Sequence, residues 1–363
     1  MLIALFVVIG LSVLILGHEA GHFFVAKLFK LKVDEFGFGF PPRMFAWRPM
    51  RWVKEGETLR QAQGETEYSF NWLPFGGFVK IAGENDALSN DIAKSDEENA
   101  ALKKRLFIFQ SATVRSLIIL AGVIVNFLIG WFLLTLVLLI GTPQAVVITQ
   151  IQPGSPAEQA GILQGDVVKN FTDSKSFIDF VNQNRGESVT LEVMRGGKDV
   201  LIAVVPRAET NPNQGALGVF LADAGTERQG FFGAIWGGLK NSVLICWMTL
   251  IAFYDLIKNL LFQGSLLEGV VGPVGIFSVA QETGRIGWIY LIQLLSIISL
   301  NLAVVNLFPF PALDGGRFFM ILAEKIKGSP ISRRIEGIVN VIGFAFLIIL
   351  MVLLTFRDVR NLL

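Results

Sequence analysis

The two histidines of this chain, His18 and His22, stand four residues apart in Gly17-His18-Glu19-Ala20-Gly21-His22, and there is no third. On a helix, positions i and i+4 share a face, so both imidazoles can grip one metal ion. Glu19 lies beside them, placed to take a proton from water held on that metal. The chemistry implied is metal-assisted hydrolysis. The neighbouring residues are Leu, Ile, Val and Phe. A carboxylate in such surroundings costs roughly 2.5–3.5 kcal/mol at mid-membrane, so Glu19 needs a compensating role. The bland alternative is a chance H-E-x-x-H on a buried helix. An apolar setting that holds every histidine of the chain weighs against it.

A catalytic zinc usually takes three protein ligands and leaves a fourth position for water. With both histidines used, the third ligand is an Asp, a Glu or the lone Cys246. Asp314 is the best candidate. It follows an apolar run, and Pro309, Pro311, Gly315 and Gly316 around it break a helix and free backbone to line a cavity. Its alternative is a turn aspartate before two glycines.

Such groups need a scaffold that carries them in lipid. The chain has 363 residues, 52% of them hydrophobic, and a mean hydropathy of +0.57. That balance points to several membrane spans and to lipid as a partner. A net charge of +1 implies no nucleic acid partner. One cysteine excludes an intrachain disulfide and a Cys-based zinc cluster. The first apolar run, Leu2 to Phe29, lacks a basic leader and holds the metal motif, so it is expected to be retained as a span. Lys27, Lys30, Lys32, Arg43 and Arg48 follow it and no basic residue precedes it. The positive-inside rule then puts the N-terminus outside the cell and the next loop in the cytoplasm. At 1.5 Å per residue, His18 is about 24 Å from Leu2 and about 13 Å before Lys27, so the metal lies inside the membrane, nearer its cytoplasmic face.

The expected order is a first span with the metal motif (1–30), a cytoplasmic or membrane-associated β-region and loop (31–114), a second span (115–141), a small extracytoplasmic α+β domain (142–222), a further apolar region (223–288), a third span ending in Leu-Asp-Gly-Gly (289–316), a cytoplasmic loop (317–336) and a fourth span (337–363). In the β-region, Phe36 to Phe40 alternates aromatic and glycine, Tyr68–Trp72 reads as a short strand, and Leu73–Ile81 as a turn into another. Residues 84–104 are charge-rich and read as a solvated loop or surface helix. Asn126 breaks the second span and reads as a helix–helix hydrogen bond. The run Ala234–Leu261 is long enough to span. Yet His22 and Asp314 can share a metal only if an odd number of crossings separates their spans, so this run reads as interfacial or re-entrant and the total as four crossings. Lys240, Asn241, Asp255 and Lys258 within it support that.

The chain resembles the intramembrane zinc metalloproteases called site-2 proteases, nearly end to end. It is most similar to the bacterial regulator-of-sigma-E type, which carries extracytoplasmic PDZ domains. The resemblance rests on His18-Glu19-x-x-His22, on Leu73-Pro-x-Gly-Gly-x-Val-Lys80, on Ala121-Gly122 with Asn126-Phe127, on the PDZ-like Ser155-Pro-Ala157 through Gly165-Asp166, and on Asn301-Leu-x-x-x-Asn306-Leu-Phe-Pro309-x-Pro311-x-Leu313-Asp314-Gly-Gly316. It implies that His18, His22 and Asp314 bind zinc and that Glu19 is the general base. It also implies that Asn306 lies near the scissile region of a substrate, and that Asn301, Pro309 and Pro311 shape that site. A bacterial inner-membrane location is implied, with single-span membrane proteins as substrates: an anti-sigma factor, remnant signal peptides, or both. Two departures are the presence of one PDZ-like unit rather than two and Gly122-Val123 where relatives often carry Gly-Pro.

A helical substrate hides its carbonyls and must unwind locally, and an edge strand within Phe36–Ile81 can hold it by strand addition. The PDZ-like unit is expected to bind a peptide or chain end, or to exclude substrates with bulky external domains. A non-catalytic scaffold is expected to lack the glutamate or a ligand. A metal transporter is expected to spread polar residues over several spans. Neither pattern is present here.

Overall fold

The computed structural model describes residues 2–49, 66–84, 103–209, 214–262, 272–329 and 331–362. Most of the charge-rich stretch 84–104 therefore lies outside the described residues. The chain divides into two units. One comprises Met1–Leu133, Lys240–Ala280 and Leu294–Leu363; the other comprises Leu134–Leu239 and Gln281–Gln293.

The first unit begins with α1 (Leu2–Leu28), apolar around its whole circumference except at the metal motif. It stops where Lys30 takes a positive φ of 60°. Lys30 N–H then donates to Lys27 O and Leu31 N–H to Ala26 O, which closes the free carbonyls of the last turn. The chain leaves in a new direction, with Leu31 and Val33 fully buried.

Strands β1 (Val33–Trp47) and β2 (Glu67–Ile81) follow and pair antiparallel. β2 is one strand, not the two expected from Tyr68–Trp72 and Leu73–Ile81. It bends at Gly76, whose φ of 90° only glycine holds easily. The bend lets it flank β1. Phe36 faces both Tyr68 and Val79, and Phe38 faces both Phe70 and Gly77. The far half of β1 returns along the first half of β2, Phe45 opposite Phe70 and Trp47 opposite Tyr68. Two strands thus make four rows, with Gly77–Ile81 as one outer row and the Arg43–Trp47 end as the other. Phe38, Phe70 and Phe45 stack across the rows at 4.7 and 5.5 Å between ring centroids. Trp72, Phe45 and Trp47 remain more than half exposed, an apolar surface that water alone does not favour.

Helix α2 (Ala112–Ile140) starts at Ser111, whose Oγ accepts Val114 N–H. It approaches α1 closely because Gly21 has no side chain: a Cβ there would stand 2.6 Å from the carbonyl oxygen of Ala121. The later helix Trp288–Leu307 meets both by the same device, Leu295 filling the space at Gly10 and Leu300 that at Gly130. Small residues at crossing points are how helices pack where no hydrophobic force drives them together.

The second unit contains β3 (Thr142–Ile151), α3 (Pro156–Gln159), β4 (Val167–Val168), α4 (Ser174–Gln183), β5 (Val189–Arg195), β6 (Lys198–Val204) and β7 (Val219–Thr226). The sheet order is β6-β5-β4-β3-β7, antiparallel throughout. Val146, Ile148, Phe177, Leu191 and Val193 fill its core. Asp166 is buried there and holds Arg195 through two bonds of 2.7 and 2.8 Å. Burial pushes the Asp166 carboxyl up, but the Arg195 guanidinium and the Leu163 N–H outweigh it and hold the group below the ordinary carboxylate range.

Four helices complete the fold after the long α5 (Phe231–Phe262): α6 (Pro273–Ile286), α7 (Trp288–Leu307), α8 (Asp314–Lys327) and α9 (Arg333–Leu362). α5 is one continuous helix with no internal point of return. Its later part runs along α7 in the same sense, Thr249 bonding Asn301 at 2.7 Å and Phe253 stacking on Phe308 at 5.6 Å. α9 starts beside the α7–α8 connection, with Pro311 against Gly343 and Asn340 Oδ1 accepting Ala312 N–H. At its far end Asp358 accepts Gly275 N–H at 2.8 Å, capping the start of α6. Among the described residues five helices, α1, α2, α5, α7 and α9, are long and apolar enough to cross a membrane. The chain is a multi-pass membrane protein.

Candidate metal centre

His18, Glu19 and His22 occupy consecutive turns of α1, and Asp314 is the first residue of α8. The fold brings Asp314 against both imidazoles. Its Oδ2 lies 3.0 Å from His18 Nε2 and 3.2 Å from His22 Nε2, and the two nitrogens are 3.2 Å apart. Ligand atoms about 2.0–2.1 Å from a tetrahedral zinc stand about 3.3 Å from one another, so the three atoms can hold that ion with a small outward shift. Both histidines are buried. Asp314 Oδ2 is buried too, and for all its proximity to the rings it accepts no hydrogen bond of proper geometry. Two imidazole nitrogens and one orphaned carboxylate oxygen make a set of donors that could hold a zinc ion with a position left open.

Each group is held from behind. His22 Nδ1 lies 2.8 Å from the carbonyl oxygen of Ile118. A carbonyl only accepts, so Nδ1 carries the hydrogen and Nε2 presents its lone pair to the centre. His18 Nδ1 faces the Asn126 amide at 3.2 Å. Asn126 thus makes the expected bond between helices, with His18 as its partner, while its backbone carbonyl accepts from Ser299 Oγ at 2.7 Å. Gly122 closes the same side: a Cβ there would lie 2.5 Å from His22 Nε2 and 2.6 Å from His18 Cε1. Any larger residue would drive the two rings apart.

Glu19 stands outside the three-atom cluster. Its Oε2 accepts Val79 N–H at 3.1 Å, so the outer row of β2 touches the candidate base directly. On the other side, the start of α8 packs on the chain before it so closely that Gly315 and Gly316 leave no room for a Cβ beside the carbonyls of Phe308 and Phe310. This contact fixes Asp314 at the mouth of α8, where a carboxylate also suits the positive end of the helix dipole.

The remaining sequence candidates have other neighbours. Asn301 Oδ1 accepts from Thr249 of α5, Pro311 packs on Gly343 of α9, and Pro309 is exposed. Asn306 is half-buried in the last turn of α7. Sequence reasoning placed Val79 in the candidate edge but missed its contact with Glu19, and it missed Ile118 and Thr249; these act through backbone or through one hydroxyl and leave no signal in residue type.

Comparison with known proteins gives the family of the chain. The family model described as peptidase family M50 matches residues 6–350. The chain belongs to peptidase family M50. A Clostridium perfringens (strain 13 / Type A) chain whose given name places it among the zinc metalloproteases is 33% identical over 367 residues, covering 98% of each chain. The regulator of sigma-W protease RasP of Bacillus subtilis (strain 168) is 27% identical over 435 residues, covering 99% of this chain and 98% of its own. The zinc metalloprotease RasP of Geobacillus kaustophilus (strain HTA426) is 27% identical over 435 residues, with the same coverage. This M50 chain is a zinc metalloprotease of the site-2 type, and its cofactor is Zn2+.

Gly122 yields the first test. Gly122→Ala is expected to push His18 and His22 apart and lower zinc affinity by about 10–100-fold, the range seen when the support of a ligand is lost. Competition with a coloured chelator measures it, and parental affinity would show that the rings tolerate a side chain there.

Proposed function

We propose that His18, His22 and Asp314 are the protein ligands of the zinc, that Glu19 is the general base, and that the enzyme cuts transmembrane segments of single-span membrane proteins. The observation that carries this reading is the meeting of two imidazole nitrogens and one carboxylate oxygen within 3.2 Å on apolar helices, with a second carboxylate beside them. Zinc, when bound, supplies a Lewis acid that polarises a peptide carbonyl and lowers the pKa of bound water to about 7. Glu19 takes the proton and returns it to the leaving amine. Val79 N–H holds Glu19 Oε2 in place for that transfer. Asn306 is a donor for the freed substrate backbone or the oxyanion. Asn301, Pro309 and Pro311 shape the chain around it, Asn301 through α5 and Pro311 through α9.

The outer row Gly77–Ile81 is the edge to which an unwound substrate adds as a strand, since it borders Glu19. Phe70 is no such edge, because β1 lies on both of its sides. The name of RasP as a regulator of sigma-W protease supports an anti-sigma factor as one substrate class, with remnant signal peptides as another. The sheet β3–β7 is read as one PDZ-like domain outside the cell that binds a peptide or chain end, or screens substrates by bulk.

Four crossings and an extracytoplasmic N-terminus remain the reading of topology, in a bacterial inner membrane. Its support is the path of the chain after α5. Phe253 stands beside Phe308, next to the Asp314 end of α7. Yet α6 starts at Asp358, at the end of α9 remote from Pro311 and Gly343. A chain that enters along α7 and is back at the far end by Gly272 adds no net crossing, so α5 is read as the inward limb of a re-entrant region and not as an interfacial helix.

Three outcomes check these proposals. Purified protein given a one-span substrate in vesicles is expected to cleave it. Glu19→Gln should keep one zinc and lose at least about a hundredfold in rate, the range for a general base. Asp314→Ala should lose both zinc and rate, and full zinc in that variant would sink the third-ligand assignment. Val79→Pro removes the N–H that Glu19 accepts without breaking the inner pairing, and is expected to lower the rate about tenfold or more with zinc retained; an unchanged rate would show that the contact does not orient the base. Single cysteines in a Cys246→Ser background are expected to label at Ser329 only from the cytoplasm and at Ser188 only from outside. The reverse pattern at either site breaks the four-crossing reading.

A further inference from the structure

The two candidate ligands on α1 are supported unequally as the atoms stand. His22 donates from Nδ1 to a carbonyl oxygen, which leaves Nε2 free for a metal. His18 Nδ1 instead meets the amide nitrogen of Asn126 at 3.2 Å. The same amide has its Oδ1 buried with no hydrogen-bond partner among the described residues. An amide nitrogen only donates, so this orientation makes His18 Nδ1 the acceptor and forces the ring hydrogen onto Nε2. An imidazole with a hydrogen on Nε2 cannot ligate through that atom, which lies 3.0 Å from Asp314 Oδ2.

A half-turn of the amide about its last bond exchanges oxygen and nitrogen with almost no change of shape, and the two are assigned from hydrogen bonding. The half-turn leaves one amide atom without a protein partner in either orientation, so the amide's own bonding does not choose between them. The other end of the imidazole does. With Oδ1 toward the ring, Nδ1–H has an acceptor, the buried oxygen is satisfied, and the Nε2 lone pair faces the centre. The backbone of Asn126 is meanwhile pinned by Ser299 Oγ, a fully buried hydroxyl 2.7 Å from its carbonyl oxygen, so the side chain is presented to His18 from a fixed point.

We propose that Asn126 is the positioning residue of His18: its amide oxygen accepts Nδ1–H and holds the ring in the tautomer whose Nε2 faces the metal, as the Ile118 carbonyl does for His22. This rests on the reading of His18 as a zinc ligand. Metal-bound histidines commonly donate their second ring hydrogen to a carboxylate or carbonyl, and loss of such an acceptor costs about 10–100-fold in affinity.

The test separates acceptor from donor. Asn126→Asp keeps the shape and can only accept when ionised, so it is expected to hold zinc at least as tightly as the parent. Asn126→Leu keeps the volume and accepts nothing, and is expected to bind zinc about 10–100-fold more weakly. Chelator competition reads both. The second readout uses the fact that the chain has only two histidines. With 15N-histidine in the full chain in lipid, the parent is expected to show Nδ1 protonated on both rings, and Asn126→Leu to lose that signature on His18 while His22 keeps it. The retained His22 signal also reports that the variant is folded. Equal loss of zinc in the Asp and Leu variants overturns the proposal, as does parental affinity in Asn126→Leu or an Nδ1 without hydrogen on His18 in the parent. A parent in which His18→Ala leaves zinc binding unchanged overturns the ligand reading itself, which is a different result from any of these.

Discussion

The rest of the structure answers to one constraint: two imidazoles and two carboxylates must be kept in an apolar bundle within reach of one another. Each buried carboxylate alone costs several kcal/mol of lost hydration, and the cost is offset only if every polar atom finds a partner or a metal. Helix α1 meets this by coming close enough to α2 that backbone and amide groups of α2 face its histidines. The approach depends on Gly21 and Gly122, since a methyl group at either would overlap atoms of the facing helix. Glycine is thus used at the centre for close contact of helices, and at Gly76 for its positive φ, two different properties of the same residue.

The four polar groups are supported from three different elements. His22 leans on the carbonyl of Ile118 and His18 on the side chain of Asn126, both on α2. Glu19 leans on Val79 of β2, and Asp314 is set by the packing of Gly315 and Gly316 against the end of α7. Salt bridges of Arg115 with Glu324 at 2.9 Å and of Arg317 with Glu84 join α8 to α2 and to the end of β2. The centre is complete only when the bundle, the β-region and α8 have all docked. A chain that folds incompletely therefore leaves these four polar groups apart.

Much of this was legible in the sequence for a simple reason. In a chain where histidine occurs twice, spacing of four in an apolar run constrains chemistry more than any propensity does. Asp314 followed from the helix breakers around it, because Pro309, Pro311 and the two glycines can only interrupt an apolar helix where backbone is allowed to leave it. The β-region was legible as strands but not as rows. Nothing in Leu73–Ile81 tells that β2 bends and continues, so that Phe70 falls inside the sheet while Val79 reaches Glu19. The sequence left Ala234–Leu261 open between interfacial and re-entrant, because its charges can be read along the chain but not by face. In the fold Thr249 and Phe253 put one side of it on α7, while Tyr254 and Trp247 remain exposed on others.

In the proposed function, the contact between Val79 and Glu19 would join substrate handling to acid–base chemistry. In a sheet edge, alternate N–H and C=O groups point outward and stand ready to pair with an added strand. Here one of those outward N–H groups is already taken by the candidate base. On the proposed strand addition, a substrate laid on Gly77–Ile81 would share this row with Glu19, and its register relative to the carboxylate would matter. Because strand pairing repeats every two residues, a shift of register would bring a different face of the substrate to the metal. Under that proposal, selection of the cleaved bond would come less from side-chain pockets than from where the substrate helix unwinds and which of its backbone groups first reaches that edge. Such an enzyme would favour substrates by local helix stability, a property that many unrelated transmembrane segments share.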